Sequence, residues 1–192
     1  MADKLVREWT QLIGDSSEDY GYLVSAAVDG SVYLTGFLNN DTYNSVGGQP
    51  YYGHSDAFLS KYSRNGFKEW TKFLGTSDTY YDHSIDTNSD GSIYIAGSTE
   101  ENLDGQTNSG SKDAFVSKYT SDGSKEWTRL LGSSNWEHAN SVSSDDDGSV
   151  YIAGYTHGRL DGEFSSGSSE ALLTGTDAFL SKFNSDGTKE WT

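Results

Sequence analysis

Short apolar runs recur along the chain, separated by Asp-Gly and Asn-Gly pairs and by longer polar stretches. Val32-Tyr33-Leu34, Ile93-Tyr94-Ile95 and Val150-Tyr151-Ile152 are apolar on both faces of an extended chain. Such a run fits a strand sandwiched between neighbouring sheets. Enrichment in Val, Ile, Tyr, Phe and Trp, and the flanking turn pairs, predict strands throughout. No stretch sustains the 3.6-residue period of an amphipathic helix. The expected first strands cover 22–28, 82–88 and 139–145, and the second strands 31–38, 92–98 and 149–155. Third strands fall at 57–63, 114–120 and 178–184. Fourth strands fall at 68–74 and 125–131, with an additional copy at 7–13.

These runs belong to a threefold repeat. Glu-Trp-Thr places tryptophan at Trp9, Trp70, Trp127 and Trp191, at spacings of 61, 57 and 64 residues. Asp-Gly-Ser-(Val/Ile)-Tyr starts at Asp29, Asp90 and Asp147, and Asp-Ala-Phe-(Leu/Val)-Ser-Lys-(Tyr/Phe) at Asp56, Asp113 and Asp177. From Gly14, Gly75 and Gly132 to the next Asp-Gly is always 15 residues, and from Asp-Ala-Phe to the next tryptophan always 14. Only the distance between Asp-Gly and Asp-Ala-Phe varies, at 27, 23 and 30 residues. Constant lengths suit paired strands, whose register one insertion would flip; variable lengths suit surface loops. Four antiparallel strands per unit of this size predict the blade of a β-propeller. The units run at about 15–75, 76–132 and 133–192 of a single, partial domain spanning 1–192.

The run from Gly91 to Thr128, with Gly-Ser-Ile-Tyr-Ile-Ala-Gly, Leu-Asp-Gly and Asp-Ala-Phe-Val-Ser-Lys-Tyr-Thr-Ser-Asp-Gly-Ser-Lys-Glu-Trp-Thr, resembles the bacterial β-propeller repeat family called SBBP. The resemblance extends over essentially the whole chain. It implies a propeller and bacterial proteins of the cell surface or exterior, mostly of unassigned activity. The first unit departs from the pattern, with Phe37-Leu38-Asn39-Asn40 where the others carry Leu103-Asp104-Gly105 and Leu160-Asp161-Gly162.

Propellers close with four to eight blades, and three would leave apolar sheet faces bare. The chain is therefore either a piece of a longer array or one half of a ring. The preferred expectation is a homodimer closing a six-bladed propeller, with residues 5–13 supplying the outer strand of a blade in the other copy through Trp9, Leu12 and Ile13.

Charge narrows the partners. Lys and Arg total 13 against 29 for Asp and Glu, a net charge of −16, which argues against nucleic acid and anionic membranes. No run is long and apolar enough for a membrane span, and MADKLVREWT holds no apolar signal-peptide core. There are no cysteines, so disulfides and thiolate metal sites are excluded.

The six connections between first and second and between third and fourth strands are all Asp-Gly or Asn-Gly and sit at one end of the expected blades, where positive φ angles serve hairpin turns. Clustered carboxylates at Asp145 and Asp147 admit calcium as an alternative reading, although the matching positions of the other units lack the full set. Otherwise no cofactor is expected. The opposite end carries the longer loops and a concentration of aromatics: Tyr20, Tyr22, Tyr43, Tyr51, Tyr52, Tyr80, Tyr81, Trp136, Tyr155 and Phe164. Amphipathic rings beside polar side chains are what protein-binding and sugar-binding surfaces use. The expected ligand-binding residues are Tyr20, Tyr22, Tyr52, Tyr80, Tyr81, His83, Trp136 and His138. The competing explanation is that these rings only cap the blade ends. No nucleophile elbow, zinc helix motif or phosphate loop occurs, and His54, His83, His138 and His157 do not align between units. The expected function is thus a non-enzymatic module binding a protein or glycan and assembling head-to-tail. The alternatives are a purely architectural unit or, further behind, a carbohydrate-active enzyme.

Overall fold

A computed structural model describes residues 8–14, 18–39, 55–74, 80–160 and 175–192; of residues 39, 55, 56 and 80–83 it describes the backbone alone. The described residues form twelve strands and no helix. The first sheet contains β1 (Asp19–Ala26), β2 (Val32–Asn39), β3 (Ser55–Tyr62) and β4 (Lys68–Phe73). The second contains β5 (Tyr80–Thr87), β6 (Ile93–Thr99), β7 (Asp113–Tyr119) and β8 (Lys125–Leu131). The third contains β9 (Glu137–Ser144), β10 (Val150–Thr156), β11 (Asp177–Phe183) and β12 (Lys189–Trp191). Each sheet is a four-stranded antiparallel meander in chain order. Eleven of these strands fall within a few residues of the positions read from the sequence. The additional copy differs: residues 8–14 form no strand with any of the described residues.

The six turns at one end share one geometry. In the first, Gly30 N–H donates to Ala27 C=O and Ala27 N–H to Ser31 C=O, both at 2.9 Å. Only the glycine of each pair has positive φ, between 79° and 87°, while the preceding Asp or Asn stays in the ordinary region. This is a type I turn followed by a left-handed residue. The aspartates work through their side chains instead. Asp29, Asp90 and Asp147 Oδ1 each accept the amide of the serine two residues on, at 2.8, 2.7 and 2.8 Å. That bonding lowers the pKa of Asp29, and the Asp145 side chain, ahead of the Ser149 bonds, holds Asp147 at about 2.

The two long motifs meet across the third and fourth strands. Serine of Asp-Ala-Phe-(Leu/Val)-Ser pairs with threonine of Glu-Trp-Thr as Ser60 with Thr71 (2.6 Å), Ser117 with Thr128 (2.8 Å) and Ser181 with Thr192 (2.9 Å). The next residue is the lysine, giving Lys61–Glu69, Lys118–Glu126 and Lys182–Glu190 ion pairs at 3.1, 2.8 and 2.9 Å. Each ammonium also lies about over a tyrosine of the second strand, 5.8 to 6.0 Å from the ring centres of Tyr33, Tyr94 and Tyr151. The repeated lysines are therefore structural.

Two equivalent apolar seams join the sheets. Tyr33, Ala57, Leu59 and Leu74 of the first sheet cluster with Ile93, Ile95, Leu103, Phe115 and Tyr119 of the second. Tyr94, Ala96, Ala114, Val116 and Leu131 of the second cluster with Val142, Val150, Ile152, Leu160, Phe179 and Phe183 of the third. Full burial of one such side chain contributes roughly 1.5–3 kcal/mol. β6 is buried at every position because a sheet covers each of its faces, whereas β10 is buried only at Val150, Ile152 and Thr156.

Tryptophan closes each seam at its outer edge. Trp70 and Trp127 lie over Gly123 and Gly187 of the following sheet, so close that an added Cβ would meet the rings at 3.0 and 2.9 Å. Trp127 also donates its indole N–H to Ser185 C=O at 3.0 Å. Trp9 does the same to the first sheet, lying over Gly66 and donating to Arg64 C=O at 3.2 Å. At the inner edge, β5 packs against both β1 and β9. Ser84 Oγ accepts the amide of Val142 at 3.0 Å, and Asp86 accepts the amide of Ser144 at 2.7 Å.

Candidate functional site

The long-loop end of the third sheet carries a row of four rings. Trp136 meets His157 edge-on at 6.1 Å, His157 meets Tyr155 edge-on at 5.7 Å, and Tyr155 stacks on His138 at 4.8 Å and 19°. Cross-strand pairing creates the row: His138 on β9 lies opposite Tyr155 on β10. Alternation then puts Trp136 and His157 beyond them on the same face. His138 Nδ1 lies 3.2 Å from the hydroxyl of Ser98 on the second sheet. Trp136 is 54% exposed, so the row ends in a ring open to solvent.

A buried carboxylate beneath the row fixes it. Glu137 is fully buried and accepts three hydrogen bonds at 2.6 Å, from the Ser133 amide, the Ser133 hydroxyl and the Thr156 hydroxyl. Ser133 Oγ accepts the Asn135 amide at 3.1 Å, and His157 N–H donates to Trp136 C=O at 2.8 Å. The loop from the second sheet is tied in as well. Glu137 N–H donates to Lys112 C=O at 2.7 Å, and Lys112 N–H donates to Asn135 C=O at 3.3 Å. Asp113, also fully buried, accepts Ser109 N–H at 2.9 Å through Oδ2, and its Oδ1 has no hydrogen-bond partner among the described residues. Burial pushes the Asp113 pKa up, and the nearby Glu137 charge adds to this, against the Ser109 bond. Beside this junction an open cleft of about 470 Å³ is lined by Glu100, Glu101, Asn102, Asn108 and Gly110.

The first sheet holds a second aromatic group at the same end. Tyr20 and Tyr22 stack at 5.9 Å and 9°, with Phe37 edge-on to Tyr22. Tyr20 donates its hydroxyl to Glu18 at 2.9 Å, a bond that raises its pKa. Tyr22 occupies a β-bulge between Gly21 and Leu23. The register shifts on β5 and β9 place His83 and Asn140 at the same repeat position. A bulge leaves one residue unpaired and re-aims it.

Of the expected ligand-binding residues, Tyr20 with Tyr22 and Trp136 with His138 form two separate groups on different sheets. Tyr80, Tyr81 and His83 are placed on β5 by backbone alone, their side chains lying outside the described residues. Tyr52 lies outside them altogether, as do Tyr43, Tyr51 and Phe164. His157 and Glu137 were missed. His157 follows Tyr155 at the two-residue spacing of one strand face, which could have revealed it. Asp145 and Asp147 both turn inward to the Ser149 amide, at 3.0 and 2.8 Å. Among the described residues no three His, Asp or Glu side chains gather around a common point.

No family model matches the chain. A protein of Caulobacter vibrioides described as "Regulatory protein FlaEY" is 32% identical over 169 residues, covering 83% of this chain. The chain spans 17% of that protein's length.

Proposed function

We propose that the three sheets are blades of a β-propeller, as the SBBP resemblance implies, and that the long-loop end is a non-enzymatic binding surface for a protein or glycan. One observation carries this reading: Trp136, the open end of the ring row, has no ring counterpart in the other units. The positions matching Trp136 are Thr79 and Glu18, and those matching Glu137 are Tyr80 and Asp19. Architecture needs the same residues in every blade, so an exposed ring present in one blade alone, beside the buried Glu137, serves something else. Screening against immobilised glycans and peptides tests it. Trp136→Ala is expected to remove binding while leaving the melting temperature within a few degrees, and unaltered affinity would reject this surface. An architectural reading, in which blades assemble with further blades, is supported by a different observation: Leu180 and Trp191 on the third blade are 50% and 43% exposed.

A further inference from the structure

We infer that the partner of this surface is a basic segment of another protein, one lysine or arginine side chain entering the cleft beside Glu100 and Glu101 while its stem lies on Trp136. The inference rests on the reading of the long-loop end as a binding surface and names the chemistry of its ligand. Cleft and ring adjoin. Gly110 of the cleft wall lies against the chain just before Trp136, so close that an added Cβ would sit 2.3 Å from Ser133 C=O. Ser111 N–H and Lys112 N–H both donate to Asn135 C=O, at 3.1 and 3.3 Å, and Lys112 forms a parallel bridge with Trp136. The cleft is also built before a ligand arrives. Asn108 ties its walls: the amide N–H donates to Asn102 Oδ1 at 2.9 Å, Nδ2 donates to Thr99 C=O at 3.0 Å, and Oδ1 accepts Gly110 N–H at 2.9 Å. Thr99 Oγ1 accepts Glu101 N–H at 3.1 Å, which fixes where that side chain starts. Groups already held in place lose less freedom on binding.

Charge decides the sign of the ligand. Lys112, the lysine of the 100–112 segment, is engaged by Glu100 at 3.0 Å. Glu101 is exposed, and among the described residues no cation pairs with it. Two further carboxyl groups stand behind the wall, both fully buried. Asp113 holds the Ser109 amide and leaves Oδ1 without a hydrogen-bond partner among the described residues, and Glu137 lies next to Trp136 in the chain. Acidic walls backed by buried carboxyls focus negative potential in a cleft. An ammonium or guanidinium group answers that potential and a neutral sugar does not, and the neighbouring ring face adds cation–π attraction. The acid pair is as peculiar to its unit as Trp136 is. The positions matching Glu100 and Glu101 are His157 and Gly158 in the third unit, and Asn39 and Asn40 in the first. Two features that the repeat does not require, one from each of two successive units, thus meet at a single junction.

Fluorescence anisotropy tests this with short labelled peptides of lysine, arginine and glycine, set against the same peptides carrying glutamine at the basic positions and against neutral oligosaccharides. The basic peptides should bind, and more weakly as salt rises. Glu101→Lys should raise their dissociation constant about 10-fold or more. Asp146→Lys makes the same charge change on an exposed side chain at the opposite end, and should shift it by no more than about twofold. Both side chains are exposed, so circular dichroism should show both variants folded. Equal weakening by the two variants reduces the attraction to overall acidity and overturns the inference, as does an absence of basic-peptide binding. Oligosaccharide binding that Trp136→Ala removes and Glu101→Lys leaves intact overturns the inference alone. Basic-peptide binding that Trp136→Ala leaves unaltered overturns the surface reading and the inference with it.

Discussion

The carbonyl oxygen of His138 lies 1.7 Å from the point where a Cβ on Gly154 would sit. The bulge at Asn140 brings the β9 backbone this close, and Gly36 faces Tyr20 C=O in the same way at 1.8 Å. Gly154→Ala must push β9 and β10 apart under the His138–Tyr155 stack. A loss of about 3 kcal/mol or more is expected in urea melts. Gly91→Ala is the contrast, since its nearest neighbour is Ser121 Cβ at 3.5 Å and the penalty comes from its φ of +87° alone. That variant should lose about 1–2 kcal/mol.

Glu137→Ala leaves the Ser133 amide and the Ser133 and Thr156 hydroxyls buried without their acceptor. Unsatisfied buried donors cost about 1–3 kcal/mol each when water cannot reach them. Stability should fall by about 3 kcal/mol in denaturant melts, and hydrogen exchange at Ser133 should accelerate.

The arrangement of the sheets was legible because its determinants repeat. Gly30, Gly91 and Gly148 mark equivalent turns, and invariant spacing from Asp56, Asp113 and Asp177 to the tryptophans marks paired strands. What did not repeat stayed hidden. Glu137 is one acidic residue among 29 Asp and Glu, and nothing in the sequence distinguishes a buried carboxylate from a solvated one. The bulges were equally silent. Gly36 and Gly154 share one repeat position, but the close backbone contact that requires glycine there is a property of the folded pair. Residues 8–14 show the opposite failure, a strand-like sequence without a strand, because pairing depends on a neighbour and not on composition.

Acid should unfold the protein in a defined window. Hydrogen bonding holds Asp147 at about 2, and Asp29, Asp122 and Asp186 are lowered by bonds to their turns. A depressed carboxyl stabilises the fold above its unfolded value, and that contribution disappears as pH falls through the folded one. Melting temperature should therefore drop between about pH 4 and pH 2. Asp147→Asn should reduce that drop, as a pH series of thermal melts would reveal.

Asp113 works in the other direction. Its pKa is raised from the ordinary 3.8 by burial, so the folded state disfavours its charge as pH rises. Asp113→Asn keeps an oxygen for the Ser109 amide and removes that charge beside Glu137. The variant should melt higher than the parent at neutral pH, with the difference vanishing below about pH 4. Equal melting temperatures at pH 7 would contradict this account.

Each Trp-over-glycine contact joins one unit only to the next, through Trp9 and Gly66, Trp70 and Gly123, or Trp127 and Gly187. A duplicated or deleted unit would consequently meet a compatible neighbour on both sides without compensating changes elsewhere. Gene duplication can thus change copy number in one step, and afterwards each long loop is free to diverge in length, as the 27-, 23- and 30-residue intervals already have. The same property that makes the units interchangeable leaves one of them at liberty to acquire a Trp136 of its own.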